Sequence, residues 1–479
     1  MEVEESMLER DIMVIGGGPG GYVAAIRVAQ LDGKVALIEK EELGGTCLNW
    51  GCIPTKALLR GVEILDLIEG GKDYGVLAGP VTVDFAKLLA RKDRAVKTLV
   101  GGVSGLMKSN GIEVIKGAAR LVSPQKIEVV NAKGEKEIYQ ARKVILASGS
   151  VSAEIPIPGA KLPGVIDSYG ALALQQIPQS MVIVGAGPIG LEFGTVYAAL
   201  GAKVTVLEML PQVLPSEDPE IAAALEKTLR RFKIQTFTGA RVQNITEGTE
   251  GKLEVTAAVG GEEKVFPTQY VLMAVGRKPN VEGLGLKEAG IEFSEKGIEV
   301  NDRMETNVPG VYAIGDVTGK WLLAHYASAQ GEVAAKNSLG HEMQMDERVV
   351  PRCVYTLPEV ASVGLTEERA KDEGYGVKVG RFPFAANGKA TILGERNGMV
   401  KIVADAKYGE ILGVHILGPH ATDLIGEAVV GMRLEGTTSD IGHAIHPHPT
   451  LTEAMMEAAF DVEGTAVHIP PRLSSVRRP

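Results

Sequence analysis

Cysteine is scarce, with three residues in a chain of 479. Three thiols cannot build the framework of a small secreted disulfide scaffold. Long hydrophobic runs are missing as well: the best apolar stretches are cut by Gln, Pro or Glu before reaching the roughly 18 residues a membrane span needs. A basic surplus is also absent. Fifty Lys and Arg face 60 Asp and Glu for a net charge of −10, and the two signs are mixed along the chain. A nucleic-acid binder would concentrate a basic face, so none is expected. The opening MEVEESMLERD shows neither a basic-then-apolar signal nor an Arg/Ser-rich transit pattern, and a cytoplasmic protein is expected.

Glycine is what the chain has in excess: 59 of 479 residues, about 12% against the usual ~7%. That usage points to tight turns and close backbone approaches to ligands. With 45% hydrophobic and 23% charged residues, the composition is that of a globular protein, and the length suggests about three domains at roughly 150 residues each.

The glycines are organised. An apolar run (DIMVI, 11–15) leads into Gly16, Gly18 and Gly21 in G-x-G-x-x-G spacing, then a small-residue helix and a second apolar run ending at Glu39. This is strand, glycine turn, helix, strand, acid: the βαβ dinucleotide unit. The helix N-terminus offers unpaired N–H groups to phosphates, and the acid suits a ribose. The same pattern recurs at 181–208, with Gly185, Gly187 and Gly190 and an acid, Glu208, at the same interval. A carboxylate there favours a free 2′-hydroxyl over a 2′-phosphate, and Met209 to Ser216 contains no Arg or Lys to hold one. The second site therefore reads as NAD-selective. Two sites imply two dinucleotides, most simply a held flavin (FAD) and a diffusing nicotinamide. Asp316, at the end of the apolar strand in VYAIGDV, suits the ribityl hydroxyls of a flavin, or service as a turn or N-cap residue. From about residue 350, strand-like pieces followed by helical patterns at 423–435 and 451–459 suggest a separate α+β domain.

Cys47 and Cys52 lie in GGTCLNWGCIPTKALL. A metal site would need further ligands nearby, and none is present. A structural disulfide would close a very small loop and gain little. The favoured reading is a redox-active dithiol. Positions five apart point ~140° from each other on a regular helix, so bridging them demands a distortion, for which Gly51 and Pro54 are at hand.

This segment, both glycine fingerprints, VILASGS, AVGRKPN, VYAIGDV and HPHPTLTEA together resemble the flavin-dependent pyridine nucleotide–disulfide oxidoreductases along nearly the whole chain, most closely their dihydrolipoamide-oxidising branch. The resemblance implies an α/β fold: two Rossmann-like dinucleotide-binding domains plus a C-terminal α+β interface domain. The boundaries it implies are 1–150 for the FAD domain with the redox disulfide, 151–279 for the NAD domain, 280–348 for a central domain completing the FAD region, and 349–479 for dimerisation. It makes Cys47 the interchange thiol and Cys52 the thiolate against the flavin, with Lys56 near the flavin and paired with Glu192. It adds Lys40, Gly45, Thr46, Gly117, Ala118, Ser148, Gly149 and Ala324 to the FAD contacts, and Ile189, Glu192 and Gly276 to the NAD contacts. No metal is expected.

Thiol–disulfide exchange also needs a proton acceptor, and histidine titrates in the right range. The resemblance assigns that role to His448, oriented by Glu453 and reaching the partner's active site in a homodimer, while His446 reads as structural. Cys353 reads as a small buried hydrophobe. His325 suits either the flavin end of the site or a helix cap. The partner implied is a lipoylated carrier of a 2-oxoacid dehydrogenase or glycine cleavage complex. The rivals are an NADH-dependent reductase of another disulfide and a non-catalytic flavoprotein scaffold or nicotinamide sensor. Mercuric and large thioredoxin reductases are disfavoured by RLSSVRRP, which carries no thiol pair.

Overall fold

The strand Val35–Glu39 is buried at every position. Such a run belongs at the centre of a parallel sheet with both faces covered. In the computed structural model, which describes residues 9–470, it pairs in parallel with Glu9–Ile15 on one side and Glu113–Lys116 on the other. Most of MEVEESMLERD and all of RLSSVRRP lie outside the described residues. The long strand Lys136–Leu146 does two jobs. Its first half closes an antiparallel meander with Ala118–Ser123 and Lys126–Val130, and its second half pairs in parallel with Glu9–Ile15. Val311–Ala313 then joins its far side, Ala313 opposite Leu146, so residues distant in sequence complete the first sheet.

The second sheet repeats the first. Five parallel strands run in the order Gln235–Phe237, Lys203–Leu207, Ser180–Val184, Tyr270–Met273 and Val165–Ile166. Beside it stands an antiparallel meander formed by Ala240–Glu247, Leu253–Val259 and Glu262–Thr268. The short ribbon of Ser150–Ser152 against Arg277–Pro279 joins the two nucleotide-binding regions. The C-terminal region is a five-stranded antiparallel sheet covered by helices Ala421–Arg433 and Glu453–Val462. Its strands lie in the order Arg352–Val354, Glu359–Gly364, Ile411–Gly418, Met399–Asp405 and Val377–Pro383. No helix among the described residues is long and apolar enough to cross a membrane.

A buried charge cluster clamps the second nucleotide region to the C-terminal sheet. Lys401 Nζ lies 2.9 Å from Asp218, 3.1 Å from Glu220 and 3.0 Å from Glu367. Arg381 contacts the same two glutamates at 2.8 and 3.0 Å. Hydrogen bonds from Lys371 and Lys401 hold Glu367 well below its ordinary 4.5, down to about 2, and the Asp218 carboxyl is also lowered. A depressed carboxylate stabilises the fold above its unfolded value and loses that contribution as pH falls through the folded one. Lys401→Met leaves Asp218 buried without its cation and costs about 3–5 kcal/mol at neutral pH. The melting-temperature gap between wild type and variant closes as pH drops from about 4.5 toward about 2. A gap that is constant over that range contradicts the assignment.

Candidate active site

Each glycine loop is built by the same contacts. Gly16 and Gly185 have φ of +107° and +104°. A Cβ on Gly21 would fall 1.8 Å from the Gly16 carbonyl oxygen, and one on Gly190 would fall 2.1 Å from that of Gly185. Only glycine lets helix and strand meet there. The acids duplicate as well. Gly17 N–H donates to Glu39 Oε2 at 2.7 Å, and Ala186 N–H donates to Glu208 Oε2 at 2.7 Å. The other oxygen of each carboxylate accepts from the residue two positions on, Glu41 at 2.7 Å and Leu210 at 2.8 Å. The acids are thus pre-aimed beside their loops.

Both loops fit a dinucleotide. A Cβ on Gly187 would meet nothing within 4 Å, and one on Gly18 only the Gly45 Cα at 4.0 Å. These two residues open helices Pro19–Gln30 and Pro188–Ala199 without a side-chain cap, leaving first-turn N–H groups for phosphate. Gly276 and Gly149 are equally open, while Ile189 is half-buried against the second core. Gly117 N–H donates to the Glu39 carbonyl at 3.0 Å, which sets Gly117 and the exposed Ala118 at the rim of the first loop. Lys40 is exposed beside Glu41. Ala324 opens the helix Ala324–Ser338.

The thiol segment is fastened to the first loop: Gly44 N–H donates to the Gly17 carbonyl at 2.8 Å, and Thr46 follows Gly45 in the same turn. The helix expected here is two helices, Gly45–Trp50 and Cys52–Gly70, broken at Gly51 with φ −137° and ψ −109°. A Cβ on Gly51 would lie 2.8 Å from the Thr46 carbonyl oxygen. The distortion the spacing demanded therefore sits at Gly51 alone, and Pro54 stays inside the second helix. Cys47 and Cys52 are brought together as free thiols in hydrogen-bond contact. The hydrogen bond to Cys52, then burial and the Cys52 charge, push the Cys47 thiol far up. The hydrogen bond from Cys47 and the Lys56 charge overcome burial to bring Cys52 to about 7. Cys52 also opens its helix, where a thiolate is favoured.

Behind Cys52, Lys56 Nζ sits 2.6 Å from Glu192 Oε2, the expected pair. Glu192 thus turns its carboxylate toward the thiols while standing in the first turns of the second nucleotide helix. Ser150 Oγ donates to Asp316 Oδ2 at 2.5 Å and accepts from Arg277 Nε at 2.8 Å. Burial raises the Asp316 carboxyl, with Ser150 and Arg277 opposing. Ser148 Oγ donates to the Asn280 carbonyl at 2.9 Å. A cleft of about 440 Å³ lined by Thr46, Trp50, Ser150 and Arg277 opens beside these groups.

The two histidines of HPHPT differ in setting. His446 is held by Glu427 Oε1 at 2.8 Å and is nearly buried. His448 Nδ1 lies 2.9 Å from Glu453 Oε1, yet its side chain is 77% exposed. Lys56 and Asp316 act on Cys47 from within the chain, the first lowering and the second raising its thiol. His325 points to the Pro351 carbonyl at 2.9 Å, a link to the C-terminal region. Cys353 is half-buried, its thiol raised to about 11 by burial. Sequence reasoning missed Arg277, although it stands in AVGRKPN directly after Gly276. It also missed Tyr355, which nothing in the sequence marks.

Two nucleotide cradles flanking a reactive dithiol define a two-nucleotide dithiol–disulfide oxidoreductase. The chain matches the family model of pyridine nucleotide-disulphide oxidoreductase over residues 10–331 and that family's dimerisation domain over 350–459. It is 46% identical to a dihydrolipoyl dehydrogenase of Thermus scotoductus, covering 96% of this chain and 98% of the relative. It is 43% identical to one of Bacillus subtilis, covering 95% and 99%. Among solved structures it is similar to the HOCl-induced flavoprotein disulfide reductase RclA of Escherichia coli in its Cu(II) complex, with a TM-score of 0.85, 28% identity and coverage of 95% and 99%. The chain belongs to the pyridine nucleotide-disulphide oxidoreductase family, and its cofactors are FAD and NAD.

Proposed function

We propose that the protein is a dihydrolipoyl dehydrogenase, oxidising protein-bound dihydrolipoyl groups to lipoyl groups and reducing NAD+ to NADH. The observation that carries this is the Cys47–Cys52 pair at the Gly51 break, backed by Lys56 and Glu192 and joined to an NAD-type second cradle with Glu208. The similarity to named dihydrolipoyl dehydrogenases over almost the full length of both chains supports it. The rival readings, another disulfide as substrate or a scaffold without catalysis, are not favoured: the relatives at 43–46% identity are named dihydrolipoyl dehydrogenases, against 28% for the disulfide reductase RclA.

In this reading Gly16, Gly18, Gly21, Glu39, Lys40, Gly45, Thr46, Lys56, Gly117, Ala118, Ser148, Gly149, Asp316 and Ala324 hold FAD. Gly185, Gly187, Ile189, Gly190, Glu192, Glu208 and Gly276 hold NAD. The four segments 1–150, 151–279, 280–348 and 349–479 serve as the FAD, NAD, central and dimerisation domains.

The chemistry begins with Cys47 and Cys52 joined as a disulfide. A substrate thiol gives its proton to His448 Nε2, whose Nδ1 is held by Glu453. The resulting thiolate attacks Cys47, breaking the Cys47–Cys52 bond and leaving Cys52 as a thiolate facing Lys56. The second substrate thiol attacks the mixed disulfide and closes the lipoyl ring, and Cys47 leaves as a thiol. Bound FAD supplies the two-electron conduit between the dithiol and NAD+. One proton is released overall.

The exposure of His448 supports a homodimer in which it serves the partner's thiols. A lipoylated carrier of a 2-oxoacid dehydrogenase or glycine cleavage complex supplies the substrate, and a cytoplasmic setting agrees with use of the NAD pool. Mixing the protein with dihydrolipoamide and NAD+ produces NADH. Turnover of other dithiols or disulfides with negligible turnover of dihydrolipoamide would overturn the proposal.

A further inference from the structure

Tyr355 brings the C-terminal region to the back of the thiol site. It follows the strand Arg352–Val354 and is half-buried. The Lys56 ammonium sits over its ring, with Nζ 4.6 Å from the centroid. Its backbone N–H donates to Glu192 Oε1 at 3.1 Å, on the same carboxylate whose Oε2 holds Lys56 at 2.6 Å. Thr422 acts on the Tyr355 hydroxyl, lowering it against the effect of burial. Thr422 in turn donates from its N–H and its Oγ1 to Glu359 Oε2 at 2.9 and 2.8 Å. Tyr355 therefore presents its ring face to the lysine while its backbone holds the lysine's partner carboxylate.

We propose that Tyr355 is a positioning residue: its ring face and its N–H together hold the Lys56–Glu192 pair in the arrangement that turns the ammonium toward Cys52. A lysine is a point charge on a flexible stem, and one carboxylate fixes its distance without fixing its direction. A second anchor on the ammonium reduces that freedom, and an aromatic face supplies it without neutralising the charge. The charge matters because Cys52 is otherwise buried. The groups that act on it are Cys47, Lys56 and Glu192, with Arg277 also within electrostatic reach. Lys56 lowers the Cys52 thiol, Arg277 acts in the same sense, and Lys56 and Glu192 both touch Tyr355. The inference rests on the reading of Cys52 as the sulfur that passes electrons on.

The test uses holoenzyme carrying Cys47→Ser, so that Cys52 is the one thiol left of the pair, and follows thiolate absorbance against pH. Tyr355→Met fills the space without an aromatic face and raises the midpoint by about half to one pH unit. Tyr355→Phe keeps the face and leaves the midpoint within about 0.2 units of the parent. With Cys47 intact, Tyr355→Met lowers kcat about threefold to tenfold and changes KM for dihydrolipoamide less than about twofold. If the Met variant does not fold, Tyr355→Leu takes its place. A midpoint unmoved by Met or Leu overturns the proposal, as does a Phe variant that shifts it as far as they do. A lowered melting temperature without a spectral shift marks a merely structural residue and overturns it too. Wild type that does not turn over dihydrolipoamide would remove the functional reading while leaving the midpoint, read without substrate, to judge Tyr355.

Discussion

Cys52→Ser forms no NADH from dihydrolipoamide, a loss on the order of 10⁴-fold or more. A serine oxygen cannot join Cys47 in a disulfide, so the chain has no two-electron acceptor for the substrate thiols and no thiolate facing Lys56. Cys47→Ser is equally inactive for a different reason, because it removes the sulfur that the substrate attacks. The two variants differ in their spectra. With Cys47 replaced, Cys52 still titrates, shifted upward from about 7 because the Cys47 hydrogen bond, the largest influence lowering it, is gone. With Cys52 replaced, that titration vanishes. Cys353→Ser is the control: its thiol sits half-buried in a strand of the C-terminal sheet, and its loss leaves turnover within about twofold of wild type. Dihydrolipoamide turnover by Cys52→Ser at anything near the wild-type rate would contradict the electron route.

His448→Gln lowers kcat with dihydrolipoamide by about 10²–10⁴-fold, the usual share of a general base. Lys56 and Asp316, which act on Cys47 within its own chain, are both engaged elsewhere. Lys56 is held by Glu192, and Asp316 is hydrogen-bonded to Ser150. The His448–Glu453 pair, exposed and oriented, is the base in search of a site. Transfer of electrons from NADH to an artificial acceptor bypasses the thiol exchange and stays within about twofold. The dimer arrangement can be checked in the same experiment. Co-expressing Cys52→Ser with His448→Gln makes mixed dimers in which one site has intact thiols and an intact partner histidine. Random pairing restores about a quarter of wild-type activity. Restoration at background level would mean that His448 serves its own chain or none.

Much of this site was legible because its chemistry is concentrated in short segments. The two glycine loops, each with its acid, the thiol pair, and His448 with Glu453 each sit within a few tens of residues, where spacing reports geometry. Glu192 was within reach because it follows the second glycine loop. Contacts between distant segments were not legible. Nothing in the spacing of Tyr355 says that its ring lies under Lys56, and nothing local pairs Lys401 with Asp218. The acids show a subtler limit. Glu39 and Glu208 were read as ribose acceptors, but each is also fixed by two backbone N–H groups, a contact visible only once the loop closes on the strand end. The break at Gly51 lay in between: the spacing of the thiols required a distortion without saying which residue would carry it.

The most direct measurement is the absorbance spectrum of the purified protein under anaerobic conditions as dihydrolipoamide and then NAD+ are added. The account predicts a flavin spectrum that dihydrolipoamide converts to a form with long-wavelength absorbance from the Cys52 thiolate, and that NAD+ returns to the starting one. A protein that is colourless and stays so with added FAD, or a yellow one whose spectrum dihydrolipoamide leaves untouched, would contradict it.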